Sequence, residues 1–353
     1  MKMIKNPLRK LVCAVALAGA AGTSMSSFAA AECPIPDNVR VVIGSTSTGG
    51  DTYQNSSLVA DHLAKELDIN MKVDAVGAVP AFRALERSPN GNTIMIFHDM
   101  AYLGHLYDVN GYGNVFEKFK IGPSVAINPG NAYLVPKDSP YQSIEEIIDA
   151  AGNGEEIKVA IQPGGVSEIG FSALKNAVKR EYPGKEGNIV AVNTGSQADK
   201  NQLLFNDYAD VINGSVQANE QFTRLPESDQ KAMRFVWLTA RNETIQKANS
   251  EGLGETTRED LLNYVSPNAS VPMTDKQNFT FDKEFFFIYN KGTDQKIVDC
   301  IDNALKEVYA KGDIKKRQKE LFFIPNYMPS SEASKHLKGK MADYKKIINN
   351  IQS

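Results

Sequence analysis

The sharpest local feature of the sequence is Val41-Val42-Ile43-Gly44-Ser45-Thr46-Ser47-Thr48-Gly49-Gly50-Asp51. An apolar strand runs into a loop of glycines and hydroxyl residues, and a helix is expected to open a few residues later. Gly44 and Gly49 have the glycine spacing of a nucleotide-phosphate loop. Gly50-Asp51, however, stands where a Lys and a magnesium-binding hydroxyl are required, so nucleotide hydrolysis is not supported. What is left suits a carboxylate: amide and hydroxyl donors at a helix N-terminus, where the dipole favours an anion. Taken alone, the same stretch also fits a tight strand-to-helix turn with no ligand.

Three further loops share this make-up. Gln162-Pro163-Gly164-Gly165-Val166-Ser167 follows Ile161, Asn193-Thr194-Gly195-Ser196-Gln197 follows Val192, and Asn213-Gly214-Ser215 follows Ile212. Each sits at the carboxyl end of an expected parallel strand, where open α/β sheets bind ligands. Four loops of one chemistry make a pattern that one loop does not. Catalysis has less support. No G-x-S-x-G elbow occurs, and Gly165 to Ile169 does not complete one. The histidines His62, His98, His105 and His336 are scattered without metal-ligand spacing, so no metal or other cofactor is expected. His62, four residues after Leu58, reads as a core histidine. His98-Asp99 ends a strand and could line a cleft.

The elements that position these loops follow from the hydrophobic pattern. Short β-rich runs are expected over 39–43, 71–76, 93–97, 157–161, 189–192, 210–212, 235–239 and 285–289. Amphipathic helices are expected between them, over 56–67, 81–87, 144–151 and 168–179. Near-continuous apolar strands alternating with helices imply mostly parallel sheets covered on both faces. Ser143-Ile144-Glu145-Glu146 has the form of a capping box. Ile297, Val298, Ile301, Ala304, Leu305 and Val308 recur at 3–4 spacing and define a buried helical stripe, and the segment from Ala333 to Ile351 repeats the pattern. Residues 241–281 are the least regular and read as a loop-rich insertion or crossing.

The chain has 353 residues, 42% of them apolar and 23% charged, which excludes a low-complexity or disordered protein and suggests two domains. Residues 1–31 read as a secretory signal peptide. Lys2, Lys5, Arg9 and Lys10 form a basic region, Leu11 to Ala21 an apolar one, and cleavage is expected after Ala29 or Ala31. The apolar stretch is too short for a membrane anchor. Its removal takes away four basic residues and no acid, leaving 35 basic against 42 acidic, a net charge of about −7. No basic run remains, so nucleic acid is not an expected partner. Cys13 leaves with the signal, and Cys33 and Cys300 remain. In an oxidising compartment they are a candidate disulfide, the alternative being two unpaired thiols.

The order of elements resembles the substrate-binding proteins of tripartite tricarboxylate transporters, the Bug-type periplasmic receptors. The likeness is diffuse and runs along essentially all of the mature chain. Ala84 to Ile94 looks like that family's helix, Pro-Asp-Gly-Tyr-Thr-Leu turn and strand. The segment Val135-Pro136-Lys137-Asp138-Ser139-Pro140-Tyr141-Gln142-Ser143-Ile144 resembles its passage into the second domain and is the most specific match. The sequence also departs from the family. Ala75 to Pro80 is a reduced form of a glycine-rich stretch, and Gly214 stands where many members have Asp, which weakens an amino-acid ligand.

The resemblance implies a two-domain α/β fold of the periplasmic-binding-protein kind (type II). Residues 32–136 with 280–353 would form domain one, 137–245 domain two, and 246–279 a loop-rich crossing. It implies a monomeric periplasmic receptor that captures a small carboxylate by domain closure and delivers it to a membrane permease. Ser45, Thr46, Ser47, Thr48, Gly49, Gly50, Asp51 and Thr52, with His98 and Asp99, would then face Gln162, Gly164, Gly165, Val166, Ser167, Thr194, Gly195, Ser196, Gln197, Asn213, Gly214 and Ser215. A ligand-sensing subunit for a membrane kinase, or an enzyme on this fold using His98 or Asp99, are the other two classes.

Overall fold

The computed structural model describes residues 33–352, so the expected signal peptide lies outside the described residues. The first part of the chain forms β1 (Asn38–Ile43), α1 (Asp51–Leu67), β2 (Asn70–Ala75), α2 (Ala78–Glu86), β3 (Thr93–His98), α3 (Met100–Leu106), α4 (Val115–Lys118) and β4 (Phe119–Asn128). The middle forms β5 (Asn131–Pro136), α5 (Ile144–Gly152), β6 (Ile157–Ile161), α6 (Val166–Glu181), β7 (Ile189–Asn193), α7 (Gln197–Phe205), β8 (Val211–Ser215), α8 (Val216–Thr223) and β9 (Met233–Leu238). The remainder forms α9 (Asn242–Ile245), α10 (Arg258–Leu262), β10 (Pro272–Thr274), β11 (Gln277–Asn278), β12 (Lys283–Asn290), α11 (Gln295–Lys311), α12 (Asp313–Glu320), β13 (Ile324–Met328) and α13 (Ser330–Gln352).

The strands make two main sheets. One has six strands in the order β13-β4-β12-β3-β1-β2, the other five in the order β7-β6-β8-β5-β9. Parallel pairing holds within β2-β1-β3 and within β7-β6-β8; β4, β5, β9, β12 and β13 pair antiparallel. Both sheets are therefore mixed. β4 had no strand signature because Gly122-Pro123 punctuates it. In the fold Pro123 lies where the pairing of β4 with β12 shifts register, the position in which a sheet accommodates a residue without an N–H.

Alternation along the strands assigns two faces to the six-stranded sheet. Val41, Ile94, Ile96, Phe285 and Phe287 pack with Val59 and Leu63 of α1 and with Ile297, Ile301 and Leu305 of α11. Val42, Met95, Phe97, Phe286 and Ile288 pack with Phe82 and Leu85 of α2 and Leu337 and Ile348 of α13. With both faces covered, a run such as Phe285-Phe286-Phe287-Ile288 is fully buried, which is why these strands read as continuous apolar segments. Helix α5 begins at the expected cap: Ser143 Oγ accepts from Glu146 N at 3.3 Å. The Glu146 carboxylate bonds Gln142 N instead of Ser143 N, so the box closes one residue early.

Cys33 and Cys300 are bridged, with their Cα atoms 5.7 Å apart, tying the first described residue to α11. The chain changes sheet at Pro129-Gly130, between β4 and β5, ahead of the 136/137 boundary expected from the sequence. It returns between β9 and β12. The two passages are stitched together beside each other. Thr239 N donates to Asn131 O at 2.9 Å, Phe281 N to Thr239 O at 2.6 Å, and Asn131 Nδ2 to Thr239 Oγ1 at 3.1 Å. Residues 239–282 are less loop-like than expected: α9, α10 and the β10-β11 hairpin lie in them.

Candidate functional site

The loop after β1 is shaped by its own hydroxyls. Ser47 N donates to Ser45 Oγ at 3.0 Å and Gly49 N to Ser47 Oγ at 3.2 Å, so both serines are used in local turns. Thr46, Ser47, Thr48 and Gly49 are exposed, and Gly50 takes extended backbone as the cap of α1. A Cβ at Gly50 would meet nothing within 4 Å. This loop borders open space.

Asp51 begins α1, and its carboxylate is the junction of three elements. Oδ2 accepts from Lys283 Nζ of β12 at 2.6 Å and from Asn128 Nδ2 of β4 at 2.6 Å, while Oδ1 accepts from Thr52 N at 2.8 Å. Burial pushes this carboxyl up, but Lys283, with His98 and Asn128, outweighs it and holds the pKa at about 2. Asn128 Oδ1 in turn accepts from Gly130 N at 2.8 Å and from Gln217 Nε2 of α8 at 3.1 Å. Asp51 thus connects to the elements of the second sheet through one side chain. His98, at the end of β3, is buried and accepts on Nδ1 from Met100 N at 3.2 Å. Burial first, then the charge of Lys283, puts its pKa well below the ordinary value, so the ring is neutral.

Asp99 is placed elsewhere. It is fully buried and both its oxygens are engaged. Oδ1 pairs with Lys340 Nζ of α13 at 2.6 Å and with Tyr102 Oη, and Oδ2 accepts from Glu284 N at 2.6 Å. Lys340 also pairs with Glu284 at 2.9 Å, and Glu284 bonds His336 at 2.9 Å. Asp99 is a strut of this ionic cluster beneath α13, not a wall of a cleft. Burial raises its pKa, helped by Glu284 and opposed by Lys340. Burial also pushes Glu284 up, but Lys340 and His336 more than offset it and hold its pKa at about 2. A recess of about 440 Å³ between the β10-β11 hairpin and α13 borders the same cluster, and Arg241, Asp282, Glu284, His336 and Lys340 around it are all paired.

These shifts predict an acid limb of stability. Asp51 and Glu284 have folded pKa values below their ordinary ones, so their contribution is complete above about pH 4.5 and is lost as pH falls toward 2. Asp99, shifted upward, works in the opposite sense and offsets part of the loss. Urea midpoints measured from pH 6 to 2 should decline below about pH 4.5, and less steeply in Asp51→Asn. A flat profile would refute this assignment.

On the second sheet, the loop after β6 is braced from inside. Gln162 N donates to Ser167 Oγ at 3.1 Å, Gly164 N to the Glu168 carboxylate, and Tyr133 Oη to Ser167 O at 3.2 Å. Gly164 has φ +82°, and a Cβ there would strike Val109; one at Gly165 would strike Met100. Here the loop presses on the chain around α3, so Gly is required for close approach. Val166 opens α6, half-buried, its O accepting from Asn131 Nδ2 at 3.5 Å. In the loop after β7, Gly195 and Ser196 are exposed, and Ser196 Oγ caps α7 by accepting from Asp199 N at 3.1 Å. Thr194 Oγ1 is buried with no partner among the described residues. Gln197 donates to Asn201 Oδ1 at 2.8 Å and lies against Gly214, where a Cβ would strike Asn219. Ser215 Oγ caps α8. Asn213 is a structural stitch, donating to Asn131 Oδ1 and Ala132 O across β5 and β8.

Sequence reasoning missed four side chains here: Asn128, Gln217, Lys283 and Lys200. Two left a signal. Lys283 shares strand parity with the buried Phe285 and Phe287, and Lys200 falls four residues before Leu204 on the inner face of α7. A lysine in register with core residues needs a partner or a function. Lys200 is buried, and its ammonium has neither a counter-ion nor an acceptor among the described residues. Burial, then the charge of Lys283, pulls its pKa down to about 7. Among the described residues no group of three or more His, Cys, Asp or Glu is arranged to hold a metal, and no helix is long and apolar enough to cross a membrane.

Two mixed sheets flanked by helices, joined by adjacent passages, define the two-domain periplasmic-binding-protein fold. Solved structures with this fold align along nearly the whole described chain. Rpa4515 of R. palustris, solved with adipate, has a TM-score of 0.69 at 15% identity, covering 90% of this chain and 98% of that one. The periplasmic binding protein BugD gives 0.62 at 16% identity, covering 89% and 97%. MatC of Rhodopseudomonas palustris, with bound malate, gives 0.62 at 14% identity, covering 89% and 100%. At these identities the likeness establishes the fold. No protein-family model and no curated protein matches the sequence.

Proposed function

We propose that this protein is an extracytoplasmic receptor of the Bug type, which captures a small carboxylate between its two sheets and hands it to the permease of a tripartite tricarboxylate-type transporter. The observation that carries this reading is the charge balance of the loop cluster. Loops after β1, β6, β7 and β8 open the N-termini of α1, α6, α7 and α8, which offer amide donors and positive dipole ends. Of the acids in their first turns, Asp51 is answered by Lys283 and Glu168 by Gly164 N, and Asp199, exposed on α7, is the third. Four helix N-termini against one unanswered surface acid favour an anion over an amine. The adipate and malate in the structural neighbours are in keeping with this chemistry. A binding role also fits the fate of the two candidate catalytic groups, since His98 is buried and neutral and Asp99 is consumed by its cluster. The signal peptide expected from the sequence and the disulfide are in keeping with a periplasmic address. Closure would pivot on the paired passages at residues 129–130 and 239–282, with residues 33–128 and 283–352, which carry the six-stranded sheet, forming one lobe and 131–238, which carry the five-stranded sheet, the other.

A thermal-shift series on the mature protein tests this, using di- and tricarboxylates, aromatic acids, amino acids and neutral amides, after unfolding and refolding to strip bound ligand. A ligand at 100 times its Kd should add about 2.7 kcal/mol and raise Tm visibly. A rise confined to one carboxylate class is expected. Gly50→Trp, which projects into open space, should keep the wild-type Tm without ligand and lose the rise. A response to amines alone, or none to any carboxylate, would overturn the proposal.

A further inference from the structure

Lys200 is a buried lysine whose ammonium has no partner among the described residues, and burying an unpaired charge is costly enough that folds normally pair it or neutralise it. Its surroundings make the lack specific. Of the strands against α7, β5 and β8 carry no charged residue, and β6 carries only Lys158, exposed at its opposite end. The charge that does reach Lys200 is another cation, Lys283, which approaches from the first sheet and is itself held by Asp51, with neutral His98 beyond. Lys283 thus has an acid of its own, while Lys200, on the other sheet, has a cation near it and no acid among the described residues. Buried polar atoms without partners among the described residues occur nearby in the chain as well: Thr194 Oγ1 just ahead of α7, and Asn219 Oδ1 on α8, whose amide end lies against Gly214.

Resting on the receptor reading above, we infer that Lys200 is the specificity-determining anchor of the site, its ammonium taking one carboxylate of the ligand as its missing counter-ion while Lys283, kept in place by Asp51, faces the same group. The lysine then selects for anionic ligands over their amides, and capture is coupled to protonation. Because the empty site disfavours the charged lysine, a carboxylate arriving above about pH 7 must bring a proton with it. Affinity should fall up to about tenfold per pH unit from there.

Calorimetric titration of the mature, refolded protein with adipate, malate and citrate, and with adipamide as the uncharged control, tests the assignment in wild type, Lys200→Met and Lys200→Gln. For the tightest wild-type probe, both variants should lose roughly 30- to 1,000-fold in affinity and also the pH dependence between 7 and 9. The ligand-free Lys200→Met protein should melt no lower than wild type, because an unpaired buried cation has gone. Wild-type affinity and an unchanged pH slope in the variants would overturn the role of Lys200 while leaving the receptor standing. A lower Tm with an unchanged pH slope would make the lysine structural and overturn it equally. No binding of any carboxylate by wild type would instead remove the receptor reading, and this assignment with it.

Discussion

Replacing Lys340 with Met is expected to cost about 3–5 kcal/mol of stability at neutral pH. The ammonium is clasped by Asp99 at 2.6 Å and Glu284 at 2.9 Å, both essentially inaccessible, and it lies 5.0 Å from the centre of the Phe281 ring. Methionine fills much of the same volume, so packing survives while two buried carboxylates lose their shared cation. The sign with pH follows from those acids. In the variant one of them can escape by taking a proton, so the deficit should shrink as pH falls from 7.5 toward 5. Adding Glu284→Gln should recover part of the loss, since the two sites are coupled. Urea unfolding at the two pH values measures all of this. A loss below about 1 kcal/mol, or a deficit that grows on acidification, would mean that the cluster is not the keystone its geometry indicates.

The second large effect concerns the bridge. Opening it in a Cys33→Ser, Cys300→Ser variant should cost about 2–5 kcal/mol, because the link closes a loop spanning 267 positions and so restrains the unfolded chain strongly. It also holds the segment around Ile35, buried with the α1 and α11 residues, against the first sheet. Denaturation midpoints of wild type with and without reductant should reproduce the variant's shift, and denatured, non-reduced protein should present no thiol. Two titratable thiols, or coincident midpoints, would count against the bridge as a stabilising element.

What the sequence determined by itself is what local chemistry fixes. Parallel strands with both faces covered announce themselves as apolar runs, and β1, β3 and β6 were readable for that reason. Cap and turn residues were equally legible, as at Ser143 before α5 and at the strand-end loops, because one hydroxyl or glycine suffices to set each. The pairing of two cysteines was open to inference from compartment and count. The tertiary structure alone decided what depends on distant partners. β4 became a strand despite Gly122-Pro123 because β12 and β13 paired with it and the pairing with β12 absorbed the irregularity as a register shift. Adjacent in sequence and alike in promise, His98 and Asp99 parted company because the strand ends at His98 and the chain turns at Asp99, the N-cap of α3, and α13 supplied Lys340 to only one of them. Lys200 and Lys283, 83 positions apart in the sequence, became neighbours only when the two sheets came together. Whether a lysine is a solvated surface charge or a buried one awaiting an anion depends on what surrounds it, and no spacing within a single chain segment encodes that.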